Sequence, residues 1–168
     1  KTGDYRDEVI LGAYQSLIDN YYPDDRAALS VFPSKMNYAG PREAVFDALV
    51  RKNQGCSHFI IGRDHAGVGD YYGGFEAQHI FEEITDLGIT PLFYNYSFYC
   101  HKCDGMTSEK ICPHDEDKQI HPSGTKIRNM IQSGSNPSEK IMRSEVAQYV
   151  MDADEPFVSE SYAIEGAE

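Results

Sequence analysis

The sequence predicts an α/β fold built on an open parallel sheet. Helical and strand-like patterns alternate three times within residues 1–95, and residues 58–61 form a nearly continuous apolar run that Gly62 ends. Such alternation is typical of parallel α/β sheets, and a short apolar run is typical of a strand buried on both faces. Ligands of these sheets bind beyond the carboxyl ends of the strands, so the segments after the strands are the first candidates for a site.

The first elements follow from apolar spacing and from proline. Apolar residues recur at helical spacing over residues 9–21, which predicts an amphipathic helix that ends near Pro23. The apolar run at residues 29–32 predicts a short strand. Pro41 stands where a first helical residue belongs, and the apolar residues within 44–49 form one face of the helix that it begins.

The next elements complete the alternation. Residues 58–61 predict the buried strand, residues 75–87 predict a helix that Gly88 closes, and residues 90–94 predict a further strand. Residues 96–121 then interrupt the pattern, because they contain cysteines and polar residues and show little apolar periodicity.

Two short helices are predicted after this interruption. Ser123 begins a helix that runs through Ile131 and ends at Gly134, and residues 144–151 predict another. The sequence therefore divides into part of an α/β catalytic domain, a metal-binding loop insertion and a helical C-terminal region, at residues 1–95, 96–122 and 123–168 respectively.

Composition and charge restrict the possible functions. The 168 residues fit one domain, and no apolar run approaches the roughly 20 residues that span a bilayer, so we expect a cytoplasmic protein that does not bind membranes. The formal net charge of −12 repels a phosphate backbone, which argues against a general nucleic-acid binder. A small anionic substrate remains compatible, because a few Arg and Lys residues in one cleft outweigh a distant acidic surface.

A glycine-rich segment directly follows the predicted buried strand. Residues 62–69 read Gly-Arg-Asp-His-Ala-Gly-Val-Gly, and three of these eight residues are glycines. Glycines allow positive φ, and exposed backbone N–H groups in such a loop bind anions. Arg63 offers a planar set of donors for a tetrahedral oxyanion, and His65 can donate to a phosphate or pack beside a base. The alternative is a simple glycine-rich turn with a solvated Arg63 and His65.

A second candidate segment lies at the start of the helix predicted after residue 122. Small hydroxyl residues precede a helix whose amino terminus favours phosphate, and Lys126 and Arg128 supply positive charge. The alternative is an ordinary serine cap with basic residues on the surface.

Three cysteines predict a metal site. Cys100 and Cys103 form a Cys-x-x-Cys pair, and Cys112 follows nine residues later. Such a pair supplies two thiolates for tetrahedral zinc, and a returning strand brings the third ligand. His114 is the nearest fourth ligand, with His121 and Glu116 as alternatives that spacing cannot separate. Four protein ligands close the site, so we expect a structural ion. We name zinc for it, although the sequence does not decide between zinc and cobalt or iron. Free thiols and redox chemistry are the other interpretations.

Four motifs resemble those of the ATP sulfurylases, in that family's order. The glycine-rich segment is similar to the family's GRDHAGPG loop, and three other segments are similar to MRYAGPREA, RKNxGxTHF and SGTKVR. The matching residues are 62–67, 36–44, 51–59 and 123–128.

The resemblance implies a Rossmann-like nucleotidylyltransferase sheet and assigns roles to individual residues. It implies that Arg63 and His65 are catalytic, that Arg63 and the Ala66 amide hold sulfate, and that the Asn95 backbone contacts adenine near Leu92. It also implies contacts with ATP, from Gly62, Arg63, Asp64, His65, Asn95, Ser123, Gly124, Thr125, Lys126 and Arg128.

The sequence also departs from the family's pattern. Val68 stands where the family usually has proline, and Asn37 stands where it usually has arginine. The family's QxRNPxHxxH loop, which grips sulfate and stabilises the transition state, is absent from the 168 residues. We therefore expect the chain to be a fragment of a longer enzyme and to be inactive alone.

The activity that the resemblance implies is sulfate adenylyltransfer in sulfate assimilation. MgATP and sulfate give adenosine 5′-phosphosulfate and pyrophosphate, and family members usually assemble as homo-oligomers. Two alternatives stay open on the sequence: another nucleotidylyltransferase with a different acceptor, and a zinc-stabilised interaction module without catalysis.

Overall fold

The computed structural model describes residues 2–159, which form a mixed α/β fold with helices and a parallel strand pair. The chain divides into two compact units. We call residues 32–97 with 108–110 the parallel-sheet unit, and the other described residues the antiparallel-sheet unit. None of the helices in the described part is long and apolar enough to span a membrane.

The parallel-sheet unit contains two helices and two strands. Helix α2 packs on α3, and strand β1 pairs in parallel with β2 in a register that joins His58 to Thr90 and Ile61 to Phe93. Pro41 occupies the first turn of α2, as predicted. The elements are α2 (Pro41–Asn53), β1 (His58–Ile61), α3 (Glu76–Glu83) and β2 (Thr90–Phe93). The buried core consists of Ala44, Ala48, Ile61, Ala77, Phe81 and Ile89.

Three sequence predictions in this half of the chain are wrong in part. Residues 29–32 form no strand, and Val31 is 59% exposed, so this apolar run has no covered face to fill. Strand β1 is buried on one face only: Ile61 is fully buried, whereas Ile60 is 58% exposed. Helix α3 ends at Glu83 rather than near residue 87, because Ile84 takes extended backbone and β-branched residues favour that conformation.

The antiparallel-sheet unit combines three helices with a small sheet. Strand β3 lies between β4 and β5, and it pairs antiparallel with β5 through Tyr99 opposite Ile120. Helix α1 packs on α5, around a core of Val9, Ile131 and Val150. The elements are α1 (Asp7–Tyr21), β3 (Ser97–Cys100), β4 (Gly105–Ser108), β5 (Gln119–Ile120), α4 (Gly124–Gln132) and α5 (Ser144–Asp152), with a 3₁₀ turn at Glu116–Lys118.

The helix predictions for this unit are confirmed, but its sheet was missed. Between residues 96 and 121 the sequence predicted only a strand that returns to the third cysteine, although three strands lie there and Cys112 is in none of them. Strands of two to four residues are too short to show alternation, and Phe98, Tyr99 and Cys100 are all buried in succession.

Candidate functional site

The glycine-rich loop begins where β1 ends. Its backbone folds back on itself, because the Asp64 N–H donates to the Gly74 carbonyl at 2.7 Å and the Gly67 N–H donates to the Asp64 carbonyl at 3.2 Å. Asp64 and Ala66 have φ values of +52° and +53°, in the left-handed region that few non-glycine residues occupy. The loop is thus a compact turn at the carboxyl edge of a parallel strand, as the sequence predicted.

Gly67 is required by this turn. A Cβ atom at position 67 would lie 1.9 Å from Oδ1 of Asp64. That same oxygen is buried and has no hydrogen-bond partner within residues 2–159. Burying a carboxylate oxygen without a donor is unfavourable, so a ligand or water that donates a hydrogen bond to Asp64 would be stabilised here.

The segment before α2 contacts the loop. The Gly40 N–H donates to the Ala66 carbonyl at 3.0 Å. Glu43, whose side chain is buried, accepts hydrogen bonds from the Asn37 N–H at 2.8 Å and the Ala39 N–H at 2.9 Å. The Glu43 carboxylate therefore fixes the turn that presents Gly40 to Ala66. Sequence reasoning missed this role, although a carboxylate in the first turn of a helix is a recognisable signal.

Arg63 is exposed and its guanidinium lies over an aromatic ring. The distance from Cζ of Arg63 to the centre of the Tyr96 ring is 4.6 Å, which is a cation–π arrangement. Tyr96 follows β2, so residues from the ends of both parallel strands meet here. The contact holds the guanidinium beside this ring, although the residue as a whole is exposed.

The side chain of Gln78 connects the ends of the two parallel strands through hydrogen bonds. Its side chain is buried, and its Nε2 donates to the Ile61 carbonyl at 3.1 Å and to the Tyr94 carbonyl at 3.0 Å. The neighbouring Asn95 donates from its side chain to Glu109 at 3.3 Å. Gln78 thus positions the backbone from which both the loop and Asn95 start, a role that the sequence pattern did not reveal.

His65 is held by a side chain of α2. Its Nε2 lies 2.9 Å from Oδ2 of Asp47, and Oδ1 of Asp47 accepts from Arg51 at 2.9 Å. The imidazole also stands edge-on to the Phe59 ring, with ring centres 5.6 Å apart.

The other predicted phosphate contacts lie in the antiparallel-sheet unit. The Ser123 hydroxyl accepts from the Lys126 N–H at 3.4 Å and caps α4, as expected. Arg128 donates to the Thr125 hydroxyl at 3.5 Å. Gly124, Thr125 and Lys126 are exposed, so the first turn of this helix can reach a ligand. Arg63, His65, Ala66 and Asn95 belong to the parallel-sheet unit.

The three cysteines and His114 form a compact cluster. One ligand atom from each of Cys100, Cys103, Cys112 and His114 lies within 4.8 Å of every other. The cluster does not include His121, whose ring packs against Phe98 at 5.1 Å, or Glu116 in the 3₁₀ turn.

The distances in the cluster fit a tetrahedral ion. Zinc bonded to sulfur at about 2.3 Å and to nitrogen at about 2.0 Å separates two sulfurs by about 3.8 Å, and a sulfur from a nitrogen by about 3.5 Å. The Sγ atoms of Cys103 and Cys112 are 3.8 Å apart. The Nδ1 atom of His114 lies 3.5, 3.4 and 3.7 Å from the sulfurs of Cys100, Cys103 and Cys112 respectively. This donor set could therefore hold a metal ion.

The thiols of the cluster differ in pKa, so they do not ionise at the same pH. Burial opposes ionisation of Cys100, but N–H groups of Cys103 and Lys102 stabilise its thiolate and lower its pKa to about 7. Burial and hydrogen bonds with the Cys100 and Cys112 thiols raise the pKa of Cys103 to about 11. A divalent cation would remove this opposition, because it compensates the charge of several thiolates at once.

Comparison with known proteins gives one consistent result. The family model described as ATP-sulfurylase matches residues 1–153. Three relatives that bear the name sulfate adenylyltransferase are 60%, 59% and 56% identical over 158 residues, and come from Ignicoccus hospitalis, Staphylothermus marinus and Pyrococcus abyssi respectively. Each alignment covers 94% of this chain and 41%, 41% and 42% of the relatives' own lengths. The chain thus spans about two fifths of these relatives.

Proposed function

Because this chain belongs to the ATP-sulfurylase family, we propose that it supplies part of the nucleotide- and sulfate-binding site of a sulfate adenylyltransferase. The observation that carries the proposal is the turn at residues 62–69, at the carboxyl edge of β1. It combines an exposed arginine, left-handed backbone at Asp64 and Ala66, and a histidine held by a carboxylate. Open parallel sheets bind their ligands at this edge.

In the proposed reaction the site brings two anions together. A sulfate oxygen attacks the α-phosphorus of MgATP, a new P–O bond forms, and the bond from that phosphorus to the β-phosphate oxygen breaks. Pyrophosphate leaves with its electron pair, and the other product is adenosine 5′-phosphosulfate. No enzyme nucleophile is required, so catalysis consists of positioning the reactants and stabilising their negative charge.

The residues of the loop have separate roles in this proposal. The Arg63 guanidinium and the Ala66 amide bind sulfate, and His65 stabilises charge on the phosphates. The Tyr96 ring supports the proposal for Arg63, because a cation–π contact restrains the guanidinium of an exposed residue. Gly62 and Asp64 line the ATP site, and the Asn95 backbone contacts adenine.

The proposal extends to the first turn of α4. There Ser123, Gly124, Thr125, Lys126 and Arg128 contact the triphosphate, and Mg²⁺ bound with ATP would compensate part of the phosphate charge. The exposure of the first turn and the positive charge of Lys126 support this assignment.

We also propose that the cluster holds a structural Zn²⁺ ion through Cys100, Cys103, Cys112 and His114. Four protein ligands leave no position for substrate, so the ion would stabilise the fold rather than the reaction. The tetrahedral distances between the donor atoms support this role.

Calorimetric titration of the chain with ATP tests the proposed function. We expect saturable binding that is weakened in Arg63→Ala and unchanged in Arg26→Ala, a matched control because Arg26 is also an exposed arginine. In a protein that also carries the upstream QxRNPxHxxH sequence, pyrophosphate release should depend on sulfate. Failure of the wild-type chain to bind ATP would overturn the proposal and favour a non-catalytic module, whereas release with another acceptor alone would favour a different nucleotidylyltransferase.

A further inference from the structure

Asp47 is an acidic residue that none of the loop motifs contains, yet it contacts a residue of the loop. It lies on α2, eighteen residues before His65, and its two carboxylate oxygens have different partners. Oδ2 is 2.9 Å from Nε2 of His65, and Oδ1 is 2.9 Å from a guanidinium nitrogen of Arg51. The side chains of Asp47 and His65 are only 21% and 23% exposed, so water competes weakly for this hydrogen bond.

The contact decides which ring nitrogen of His65 carries a proton. An ionised carboxylate can only accept hydrogen bonds, so Nε2 must be the protonated nitrogen that donates to Asp47. The other nitrogen, Nδ1, is then the ring atom that remains for a ligand. Such second contacts fix the tautomer and the orientation of functional histidines.

The surroundings restrict the ring further. Phe59 on β1 meets the imidazole edge-on, with an angle of 88° between the ring planes. The Arg51 guanidinium lies 5.3 Å from the centre of the same phenyl ring and also binds Asp47. Asp47, Arg51 and Phe59 therefore form a connected support beneath His65, and rotation of the imidazole would break contacts on two sides.

We propose that Asp47 is a positioning residue that holds His65 through Nε2 and thereby directs Nδ1 toward the bound nucleotide. The direction toward the nucleotide rests on the proposed function, whereas the hydrogen bond itself does not. Asp47 acts only through His65, so removing Asp47 should affect ATP binding only when His65 is present.

A proton NMR experiment without nucleotide tests the hydrogen bond. Imidazole N–H protons exchange quickly with water unless a hydrogen bond and burial protect them. In the chain labelled with ¹⁵N-histidine, we expect a slowly exchanging N–H signal from Nε2 of His65. The signal is assigned by its loss in His65→Asn. Asp47→Asn should abolish or strongly weaken this signal. Asp19→Asn should keep it, because Asp19 is a helical aspartate that accepts a hydrogen bond from Gln15 in α1.

A double-mutant cycle tests the positioning role. Losing an ordered histidine contact should weaken ATP binding about fivefold, in Asp47→Asn and in His65→Ala alike. The double variant should bind no more weakly than His65→Ala alone. Asp47→Glu, which keeps a carboxylate, should retain more affinity than Asp47→Asn and guards against a variant that fails to fold.

The possible outcomes separate the two claims. If Asp47→Asn weakens ATP binding equally with and without His65, Asp47 does not act through His65 and the inference is wrong. A protected N–H signal that survives in Asp47→Asn would also show that Asp47 does not hold Nε2 of His65, and the inference would be wrong. Failure of the wild-type chain to bind ATP defeats the proposed function and the nucleotide part of the inference, while the N–H signal still decides the Asp47–His65 contact.

Discussion

The metal cluster and the glycine-rich loop are supported in opposite ways. The cluster draws its four ligands from residues at most fourteen positions apart, and its thiols oppose one another until a cation is present. The loop is supported by side chains of the two helices of its unit, since Asp47 and Gln78 contact His65 and the Ile61 carbonyl, which are eighteen and seventeen residues away. We therefore expect the cluster to depend on a bound cation, and the loop to depend on the packing of its unit.

The largest effect should follow metal removal. Structural zinc in small domains contributes about 10 kcal/mol or more of apparent binding free energy, so a chelator or Cys103→Ser should unfold the β3–β4–β5 sheet. Circular dichroism and zinc content measure the loss, and Cys56→Ser is the control because Cys56 is also an exposed cysteine but lies outside the cluster.

Metal removal should leave the glycine-rich loop intact. The His65 N–H signal should persist after chelation, because its partners all lie in the parallel-sheet unit. Zinc-free protein with an unchanged sheet would contradict the ligand-dependent account of the cluster.

The converse experiment disturbs the core of the parallel-sheet unit with Phe81→Ala and leaves the cluster unchanged. Phe81 is buried in the core of the parallel-sheet unit, and deleting a buried phenyl ring costs about 3–5 kcal/mol. Denaturant unfolding should show this loss for the parallel-sheet unit, while zinc content stays at the wild-type value. Tyr22→Ala, which removes an exposed ring just after α1, is the comparison variant. Loss of zinc in Phe81→Ala would show that the two sites are not independently supported.

A smaller effect is expected from Gln78→Met. Methionine keeps the length of the side chain but donates no hydrogen bond, so the carbonyls of Ile61 and Tyr94 lose the hydrogen bond from Gln78. The Ile61 carbonyl keeps only the longer hydrogen bond from the Tyr94 N–H at 3.4 Å. The free energy of unfolding should fall by about 1–3 kcal/mol, and ATP affinity should fall with it. Gln132→Met, at the exposed end of α4, should change neither quantity. Unchanged ATP binding in Gln78→Met would mean that ATP binding does not require the hydrogen bonds from Gln78 to the ends of the strands.

The smallest effect concerns the contact between Tyr21 and Glu145, which joins α1 to α5. The hydrogen bond from the Tyr21 hydroxyl lowers the pKa of Glu145 below its ordinary value of 4.5. A depressed carboxyl pKa stabilises the fold above that value, and this stabilisation is lost as pH falls through the folded pKa. Tyr21→Phe should therefore unfold more easily than wild type near neutral pH, and the difference should shrink in acid. Thermal unfolding at several pH values measures it; a difference that grows in acid would have the wrong sign.

The sequence predicted the local features of both regions and missed the dispersed ones. Pro41, the Ser123 cap and the Cys-x-x-Cys pair are signals within a few residues, and all three were interpreted correctly at the level of local structure. Spacing could not choose His114 over His121, because that choice depends on the path of the chain between β4 and β5. Asp47 and Gln78 gave no signal, because their partners become neighbours only when helices pack on the strands.

The error at residues 29–32 has a similar cause. Four apolar residues in succession favour a strand, but a strand also needs a partner that supplies hydrogen bonds. In the structure Leu29, Val31 and Phe32 are all substantially exposed. Composition alone does not report whether such a partner exists.

The measurement that tests the central claim most directly is the turnover of Arg63→Ala, in a protein that also carries the upstream QxRNPxHxxH sequence. If Arg63 binds the sulfuryl group, kcat/KM for sulfate should fall by at least about a hundredfold, because one charged donor to a developing anion is worth about 3 kcal/mol. Arg63→Lys should recover only part of this loss, since an ammonium cannot reproduce the planar guanidinium held over Tyr96. Near-normal kcat/KM for sulfate in Arg63→Ala would contradict the assignment of the loop as the anion site.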